Sequence, residues 1–296
     1  MNNIFFFAGA ASQEIGARIA HLSSKPLGRW NLVKFSDGEI RPVLKENLKG
    51  ATVVIIQSTY SPAEHMMELL LMIDAAKQAG AHKVVVVTPY LGYMRQDKIH
   101  ESGEAHGAGL MCRLLSAAGA DQLIVCNPHT KNLTLFFKGI IKQVSTYSLF
   151  ISYLESLNLK NICFVAPDKG AFMESKEYAQ YFKTTLVVCD KIRHKPNEVK
   201  RIQITGKVEN VDAVIIDDMV DTANTLCVVA EQLKSQGARS IRALCTHPVL
   251  SGNAYDRLAS SLLEEIVVTN TIPLKQKSEK VKVLNIAPLI LEAMND

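Results

Sequence analysis

Three aspartates stand within five residues directly after one apolar run of the chain. Residues 213–216 are apolar, and Asp217, Asp218 and Asp221 follow them. A single aspartate is enough to cap a helix, so three together favour a ligand site at the end of a buried strand. Asp217 and Asp218, at the carboxyl end of that strand, are placed to hold the hydroxyl groups of a sugar.

Small and hydroxyl-bearing residues come next and open a predicted helix over residues 222–236. They are Thr222, Ala223, Asn224 and Thr225. Unpaired N–H groups and the macrodipole at a helix N-terminus both favour an anion. This loop is therefore predicted to cradle a phosphate group.

Four more side chains of catalytic or metal-binding type follow other apolar runs. Lys191 and Arg193 come after residues 185–189, and side chains two positions apart on a strand point the same way. His129 and Asp168 each follow a further run. Taken alone, the two cations are more typical of a solvated surface, and His129 and Asp168 of a turn or a capped loop.

Residues 195–207 are polar, carry mixed charge and contain Pro196. Such a segment predicts a mobile loop or a hairpin beside the site. Loops of this kind often close over substrates.

Alternating β-branched runs and amphipathic segments predict the elements that must position these residues. The predicted strands cover residues 52–57, 83–88, 122–126, 161–165, 185–189, 212–216 and 240–246, after a first short strand at residues 4–8. Predicted helices include residues 63–79, 107–118 and 222–236. The alternation predicts an α/β fold with doubly wound parallel sheets.

The length of 296 residues exceeds that of most single domains, so two are expected. We place the N-terminal domain at residues 1–144, completed by residues 283–296, and the C-terminal domain at residues 145–282. The first domain carries two of the motifs described below, and the second carries the aspartate loop.

Composition excludes several classes of partner. The chain has 33 basic and 29 acidic residues, a net charge of +4, which is too small to indicate binding to nucleic acid or to a membrane. Its six cysteines form no CxxC pair, so buried free thiols in a reducing compartment are expected. No apolar stretch approaches the roughly 18 residues that span a bilayer, and a cytoplasmic protein is expected.

Two further motifs complete a pattern that is specific in its order along the chain. Residues 35–40 read Phe-Ser-Asp-Gly-Glu-Ile, and taken alone the Asp-Gly pair is only a turn signal. Residues 89–98 read Pro-Tyr-Leu-Gly-Tyr-Met-Arg-Gln-Asp-Lys. With residues 127–129, 189–194 and 213–226, they resemble the ribose-phosphate diphosphokinases, over essentially the whole chain. Residues 246–254 also resemble that family, without an assigned chemistry.

The resemblance implies a reaction, a fold and a cofactor. The β,γ-diphosphate of ATP is transferred to the 1-hydroxyl of ribose 5-phosphate, which gives 5-phosphoribosyl 1-diphosphate and AMP for nucleotide biosynthesis. The fold implied is two doubly wound parallel-sheet domains of phosphoribosyltransferase type. Mg²⁺ is the implied cofactor, and a homo-oligomer whose ATP site is shared between subunits is the implied assembly.

The resemblance also implies roles for individual residues. Catalytic roles fall to Lys191 and Arg193, and metal binding falls to His129 and Asp168. ATP binding is implied for Phe35, Asp37, Gly38, Glu39, Arg95, Gln96 and His129. Ribose 5-phosphate binding is implied for Arg193, Asp217, Asp218, Asp221, Thr222, Ala223, Asn224 and Thr225.

Two positions depart from the family pattern and leave alternatives open. Asn127 stands where much of the family has aspartate, and Asn224 stands where the pattern usually has glycine. Asparagine tolerates positive φ better than most residues, so Asn224 is expected to keep the loop conformation. A non-catalytic regulatory paralogue remains an alternative, as does a phosphoribosyltransferase, which would not need residues 35–39 or 95–96. Residues 100–106, 127–129 and 191–196 resemble the archaeal-type branch of the family.

Overall fold

The computed structural model describes residues 3–130, 132–195 and 198–295, with the backbone alone for residues 190–195 and 198–202. Two compact units divide the chain. The first contains the chain up to Ser145, residues Thr271–Pro273 and the residues from Ile286 onward. The second contains Thr146–Asn270 and Leu274–Asn285. Within the described ranges, no helix is long and apolar enough to cross a membrane.

Fourteen strands and eight α-helices make up the described parts of the two units. The strands are β1 (Ile4–Ala8), β2 (Trp30–Lys34), β3 (Ile40–Leu44), β4 (Thr52–Ile56), β5 (Lys83–Thr88), β6 (Gln122–Cys126), β7 (Ile140–Val144), β8 (Ile162–Ala166), β9 (Leu186–Lys195), β10 (Glu198–Thr205), β11 (Asp212–Val220), β12 (Ser240–Pro248), β13 (Glu265–Thr269) and β14 (Val281–Leu284). The helices are α1 (Gln13–Leu22), α2 (Glu64–Gln78), α3 (Gly107–Ala118), α4 (Tyr147–Ser156), α5 (Phe172–Tyr181), α6 (Asn224–Ser235), α7 (Ala254–Ser260) and α8 (Ala287–Asn295).

A parallel sheet of five strands in the order β1-β4-β5-β6-β7 forms the centre of the first unit. Helices α2 and α3 pack on one face, where Leu69 and Leu115 are fully buried. Helices α1 and α8 cover the other face through Ile19 and Ile290. Because both faces are covered, the central strands β4 and β5 are nearly continuous Val and Ile runs with no polar alternation.

The second unit contains a sheet in the order β10-β9-β8-β11-β12-β13-β14, in which only β10 pairs antiparallel with its neighbour. Phe150 of α4 and Tyr178 of α5 are buried on one face, and Leu226 of α6 and Leu258 of α7 on the other. The chain passes from β8 to β9 on one side and later returns to β11 on the other side of β8. The sheet therefore has a topological switch point between β8 and β11, where open α/β sheets bind ligands.

The predicted fold class is confirmed, with differences at several elements. Strand β11 runs to Val220, four residues beyond the predicted end, because its ladder with β12 continues after its ladder with β8 stops at Ile215. The predicted loop or hairpin over residues 195–207 contains β10, which pairs with β9 as a hairpin. Strands β2, β3, β7, β13 and β14 were not predicted. All six cysteines are free, and Cys227 alone of them is half-buried.

Asp212, at the amino end of β11, is part of an ionic network away from the switch point. It accepts hydrogen bonds from Nε of Arg239 at 3.0 Å and from the Ser240 hydroxyl at 2.6 Å. These bonds lower the pKa of Asp212 below its ordinary value, and the bond from Arg239 has the largest effect. A lowered carboxyl pKa stabilises the fold above the unfolded-state pKa near 3.9, and this gain is lost as the pH falls through the folded-state pKa.

Replacing Asp212 by asparagine is expected to lower the free energy of unfolding at pH 7 by about 1–2 kcal/mol, since a buried charged acceptor is lost. Urea unfolding at pH 7 and at about pH 3.5 measures this, and the difference from wild type should shrink at the lower pH. Asp256→Asn, at an exposed position on α7, is the matched control and should unfold like wild type at both pH values. An equal loss at both pH values would exclude the carboxylate charge as the cause.

Candidate active site

Three carboxylates gather at the switch point of the second unit. Asp217 and Asp218 lie in the part of β11 that extends past the end of its pairing with β8. Asp168 lies in the loop after β8, where its Oδ1 accepts hydrogen bonds from the N–H groups of Gly170 at 3.0 Å and Ala171 at 3.4 Å. The structure thus brings together three of the residues predicted from sequence.

The carboxyl group of Asp217 is strongly perturbed by its surroundings. Burial, followed by repulsion from Asp218 and then Asp168, raises its pKa well above that of an ordinary aspartate. A carboxylate in this position is stabilised by hydrogen-bond donors or by a cation, because either offsets the repulsion. Sugar hydroxyls are such donors, so the electrostatics of this cluster suit a polyhydroxylated ligand.

Asp221 and the following residues form the predicted loop between β11 and α6. Ala223 precedes the helix in the left-handed region, with φ 60° and ψ 1°. Asn224 is the first residue of α6 and is not among the residues with positive φ. The positive φ of this loop therefore lies at Ala223 and not at Asn224, and it costs about 1–2 kcal/mol for a residue with a Cβ.

Thr222 and Asn224 are exposed in this loop, whereas Ala223 is buried at 4% exposure. Thr225 is half-buried in the first turn of α6. Helix α6 is twelve residues long, so its first-turn N–H groups and macrodipole are available to an anion. The loop has the chemistry of a phosphate site next to the carboxylate cluster.

Lys191 and Arg193 lie on β9, in the hairpin with β10. Their backbones pair with Ile202 and Val199 respectively. The side chains of both cations lie outside the described part of the structure. Their predicted catalytic roles stay predictions.

Phe35, Asp37, Gly38 and Glu39 form the tip of the β2–β3 hairpin in the first unit. The N–H of Phe35 donates to the carbonyl of Glu39 at 2.8 Å, and the N–H of Glu39 donates to Oδ1 of Asp37 at 3.0 Å. Gly38 has φ 96°, which a residue with a Cβ rarely adopts, so the Asp-Gly turn signal is confirmed. The guanidinium carbon of Arg41 lies 5.2 Å from the centre of the Phe35 ring.

Arg95 and Gln96 are exposed on the segment after β5, at the same edge of the sheet as the ends of β4 and β6. Leu91 and Met94, each 3% exposed, anchor this segment in the core. The N–H of Gly92 donates to the hydroxyl of Thr59 at 2.8 Å, a contact sequence reasoning did not foresee. An added Cβ at Gly92 would lie 2.4 Å from the carbonyl oxygen of Thr59, so only glycine allows this close approach.

His129 is exposed on the loop after β6 in the first unit, and Asn127 begins that loop with φ 31°. Asp168, the other predicted metal ligand, belongs to the second unit. No group of three or more His, Cys, Asp or Glu side chains arranged to hold a metal ion occurs among the described residues. This does not conflict with Mg²⁺, which takes few protein ligands and keeps its waters and substrate phosphates.

Comparison with known proteins gives matches along nearly the whole chain. Residues 4–119 match the N-terminal domain of ribose phosphate pyrophosphokinase, and residues 175–296 match the phosphoribosyl synthetase-associated domain. Ribose-phosphate pyrophosphokinase of Porphyromonas gingivalis is 37% identical over 99% of this chain and 94% of that protein. The Bacillus subtilis enzyme of the same name is 38% identical over 99% and 93%.

A solved structure agrees with these matches. The phosphoribosylpyrophosphate synthetase from Mycobacterium smegmatis superposes with a TM-score of 0.94 at 29% identity. The superposition covers 99% of this chain and 98% of that one. The superposition therefore includes both units of this chain.

The fold and the switch-point loop define an α/β protein of phosphoribosyltransferase type. Within that class, the identity of 37–38% over almost the full length of the two named relatives indicates one family. The chain belongs to the ribose-phosphate pyrophosphokinase family. It is an enzyme, a transferase and kinase of nucleotide biosynthesis.

Proposed function

We propose that this chain transfers the β,γ-diphosphate of ATP to the 1-hydroxyl of ribose 5-phosphate, and that the sugar phosphate binds at the switch point of the second unit. This placement is supported by the gathering of the carboxylates of Asp217, Asp218 and Asp168 at the switch point, next to the start of α6. The carboxylates accept hydrogen bonds from ribose hydroxyls. Asp221 and residues 222–225 receive the 5-phosphate.

ATP binding falls to the first unit in this proposal. Arg95 provides a guanidinium that forks onto phosphate oxygens, and Gln96 contacts the nucleotide. Phe35, Asp37, Gly38 and Glu39 are exposed or half-buried at the hairpin tip, which suits a segment donated to the ATP site of another subunit. A homo-oligomer is therefore part of the proposal.

Catalysis consists mainly of alignment and neutralisation of charge, since phosphoryl-type transfer needs little covalent chemistry from the protein. The 1-hydroxyl attacks the β-phosphorus in line and gives up its proton to water, the bond from that phosphorus to the oxygen of AMP breaks, and AMP leaves with that oxygen. Lys191 and Arg193 stabilise the charge on the phosphate oxygens. Mg²⁺, with His129 and Asp168 as its predicted ligands, adds positive charge when bound.

We place the protein in the archaeal-type branch of the family and in the cytoplasm. The sequence features at residues 100–106, 127–129 and 191–196 support the branch. The resemblance to this branch, rather than to the bacterial enzymes with longer loops, implies that ADP does not inhibit this protein. The six free cysteines support a reducing compartment.

The reaction is tested by incubating purified protein with ATP, Mg²⁺ and ribose 5-phosphate and measuring AMP release with and without the sugar. We expect AMP formation that depends on the sugar, with 5-phosphoribosyl 1-diphosphate formed in an amount equal to that of AMP. A second arm adds ADP at saturating ATP, and no inhibition beyond competition with ATP is expected. Binding of ATP without any AMP formation would instead indicate a regulatory paralogue.

A further inference from the structure

The segment after β12 is hydrogen-bonded to the loop after β11, and we call residues 249–257 the support segment. The N–H of Leu250 donates to the carbonyl of Val220 at 3.0 Å, and the N–H of Ser251 donates to the carbonyl of Asp221 at 3.0 Å. The hydroxyl of Ser251 also donates to Oδ1 of Asp221. Ser251 therefore fixes both the backbone and the carboxylate of one residue of the proposed phosphate site.

A second side chain of the support segment reaches the next residue of the loop. Arg257, on α7, donates from Nη1 to the carbonyl of Thr222 at 2.8 Å. The thiol of Cys227, on α6, lies 3.7 Å from the carbonyl of Arg257. Helix α7 is thus linked to the loop and to the helix that the loop opens.

These contacts decide which way the loop amides point. The support segment holds three successive carbonyls, those of Val220, Asp221 and Thr222. In a trans peptide, the N–H of the next residue points opposite to the carbonyl. The N–H groups of Thr222 and Ala223, which follow the held carbonyls of Asp221 and Thr222, are therefore directed away from the support segment, as donors of the kind that bind phosphate oxygens.

The left-handed conformation of Ala223 is a second, independent sign that the loop is held from outside. An alanine adopts φ 60° only where its surroundings over-determine the backbone. One such constraint on the backbone is the hydrogen bond from Arg257 to the carbonyl of Thr222, the preceding residue. A loop freed from the support segment would leave this conformation and lose the orientation of its donors.

We propose that Ser251 and Arg257 are positioning residues for the sugar phosphate: they hold the carbonyls of residues 221 and 222 and the carboxylate of Asp221 so that the loop amides face the 5-phosphate. This inference rests on the proposed function. It assigns a role to residues 246–254, the one family-like motif for which the sequence offered no chemistry. Neither residue needs to contact the substrate.

The test compares Ser251→Ala, Ser251→Thr, Arg257→Ala and Arg257→Lys with wild type. We expect Ser251→Ala to raise KM for ribose 5-phosphate about tenfold, since a hydrogen bond to a charged group is lost, with KM for ATP unchanged. Ser251→Thr keeps the hydroxyl and should bind nearly as wild type does. Arg257→Ala should weaken the binding of ribose 5-phosphate to a similar extent, and Arg257→Lys should retain part of the wild-type affinity.

Ser260→Ala is the matched control, because Ser260 is exposed on α7 and donates only to the carbonyls of Asp256 and Arg257 within its own helix. Calorimetric titration with ribose 5-phosphate and with ATP gives a readout independent of turnover. If Ser251 and Arg257 had a merely structural role, their substitution would lower Tm and weaken the binding of ribose 5-phosphate and ATP together. Wild-type affinity for ribose 5-phosphate in Ser251→Ala and Arg257→Ala would overturn the inference, whereas a wild-type protein that neither binds nor uses this sugar would overturn the proposed function instead.

Discussion

Asp217→Asn is expected to make the protein more stable and much less active. The pKa of Asp217 is raised, chiefly by burial and then by Asp218 and Asp168, so its ionisation costs folding free energy. A carboxyl pKa raised in the folded state destabilises progressively as pH rises above the unfolded-state value near 3.9. Removing the charge at pH 7 should therefore raise Tm by about 2–6 °C, which corresponds to about 1–2 kcal/mol.

The same substitution removes an acceptor for the ribose hydroxyls. A lost hydrogen bond to a charged group predicts a fall in kcat/KM for ribose 5-phosphate of about 10–100-fold. Thermal unfolding at pH 7 and at about pH 4, together with AMP release, measures both effects. The gain in Tm should largely disappear at the lower pH, because the wild-type carboxyl group is protonated there in the folded state and about half protonated in the unfolded state.

Asp212→Asn is the matched control, since it makes the same chemical change on the same strand. It removes a carboxylate whose pKa is lowered by Arg239, so it should lose stability and keep activity. If Asp217→Asn were less stable than wild type at pH 7, the repulsion inferred at the switch point would be wrong. If it kept full activity, Asp217 would not hold the sugar.

Lys191→Ala is expected to lower kcat by about 10²–10³-fold, the usual cost of removing one group that stabilises transition-state charge. KM for both substrates should change little, because the contribution is made mainly in the transition state. Steady-state AMP release, with ATP and ribose 5-phosphate varied separately, measures the two effects. Lys191→Arg should recover only part of the rate, since a planar guanidinium does not replace a point charge.

Lys207→Ala provides the control for Lys191, as Lys207 is exposed just beyond the β9–β10 hairpin. Its turnover should equal that of wild type. Unchanged turnover in Lys191→Ala would remove this lysine from the mechanism. A rise in KM with kcat intact would reassign it to substrate binding.

The sheets could be predicted because most of their strands are buried on both faces. Residues 83–88 read Lys-Val-Val-Val-Val-Thr, and β5 forms over Lys83–Thr88 as predicted. Strand β2 was missed because it has no buried residue. Strand β3 was missed because only one of its residues is buried, and that residue is Pro42, which breaks the usual strand pattern. Strand β14 was missed because it has four residues, only one of them buried.

The candidate site was predictable where local sequence determines it. The acidic residues at 217, 218 and 221 and the start of α6 follow from short-range patterns. Ser251 and Arg257 do not, because they contact residues 30 and 35 positions away and no local spacing reveals this. The left-handed Ala223 was also unpredictable, since alanine gives no sign of positive φ and asparagine at the next position pointed to the wrong residue.

The return of α8 to the first unit has a consequence for how the protein is made. Ile286, Ala287 and Ile290 fill the core against β1, β4, β5 and β6, and they lie some 140 residues after the main part of that unit ends at Ser145. Domains generally fold as they emerge from the ribosome, the N-terminal one first. Here all strands of the second unit are synthesised before α8 emerges. The first unit can therefore finish covering one face of its own sheet only after the second unit has been made, and it completes its core last.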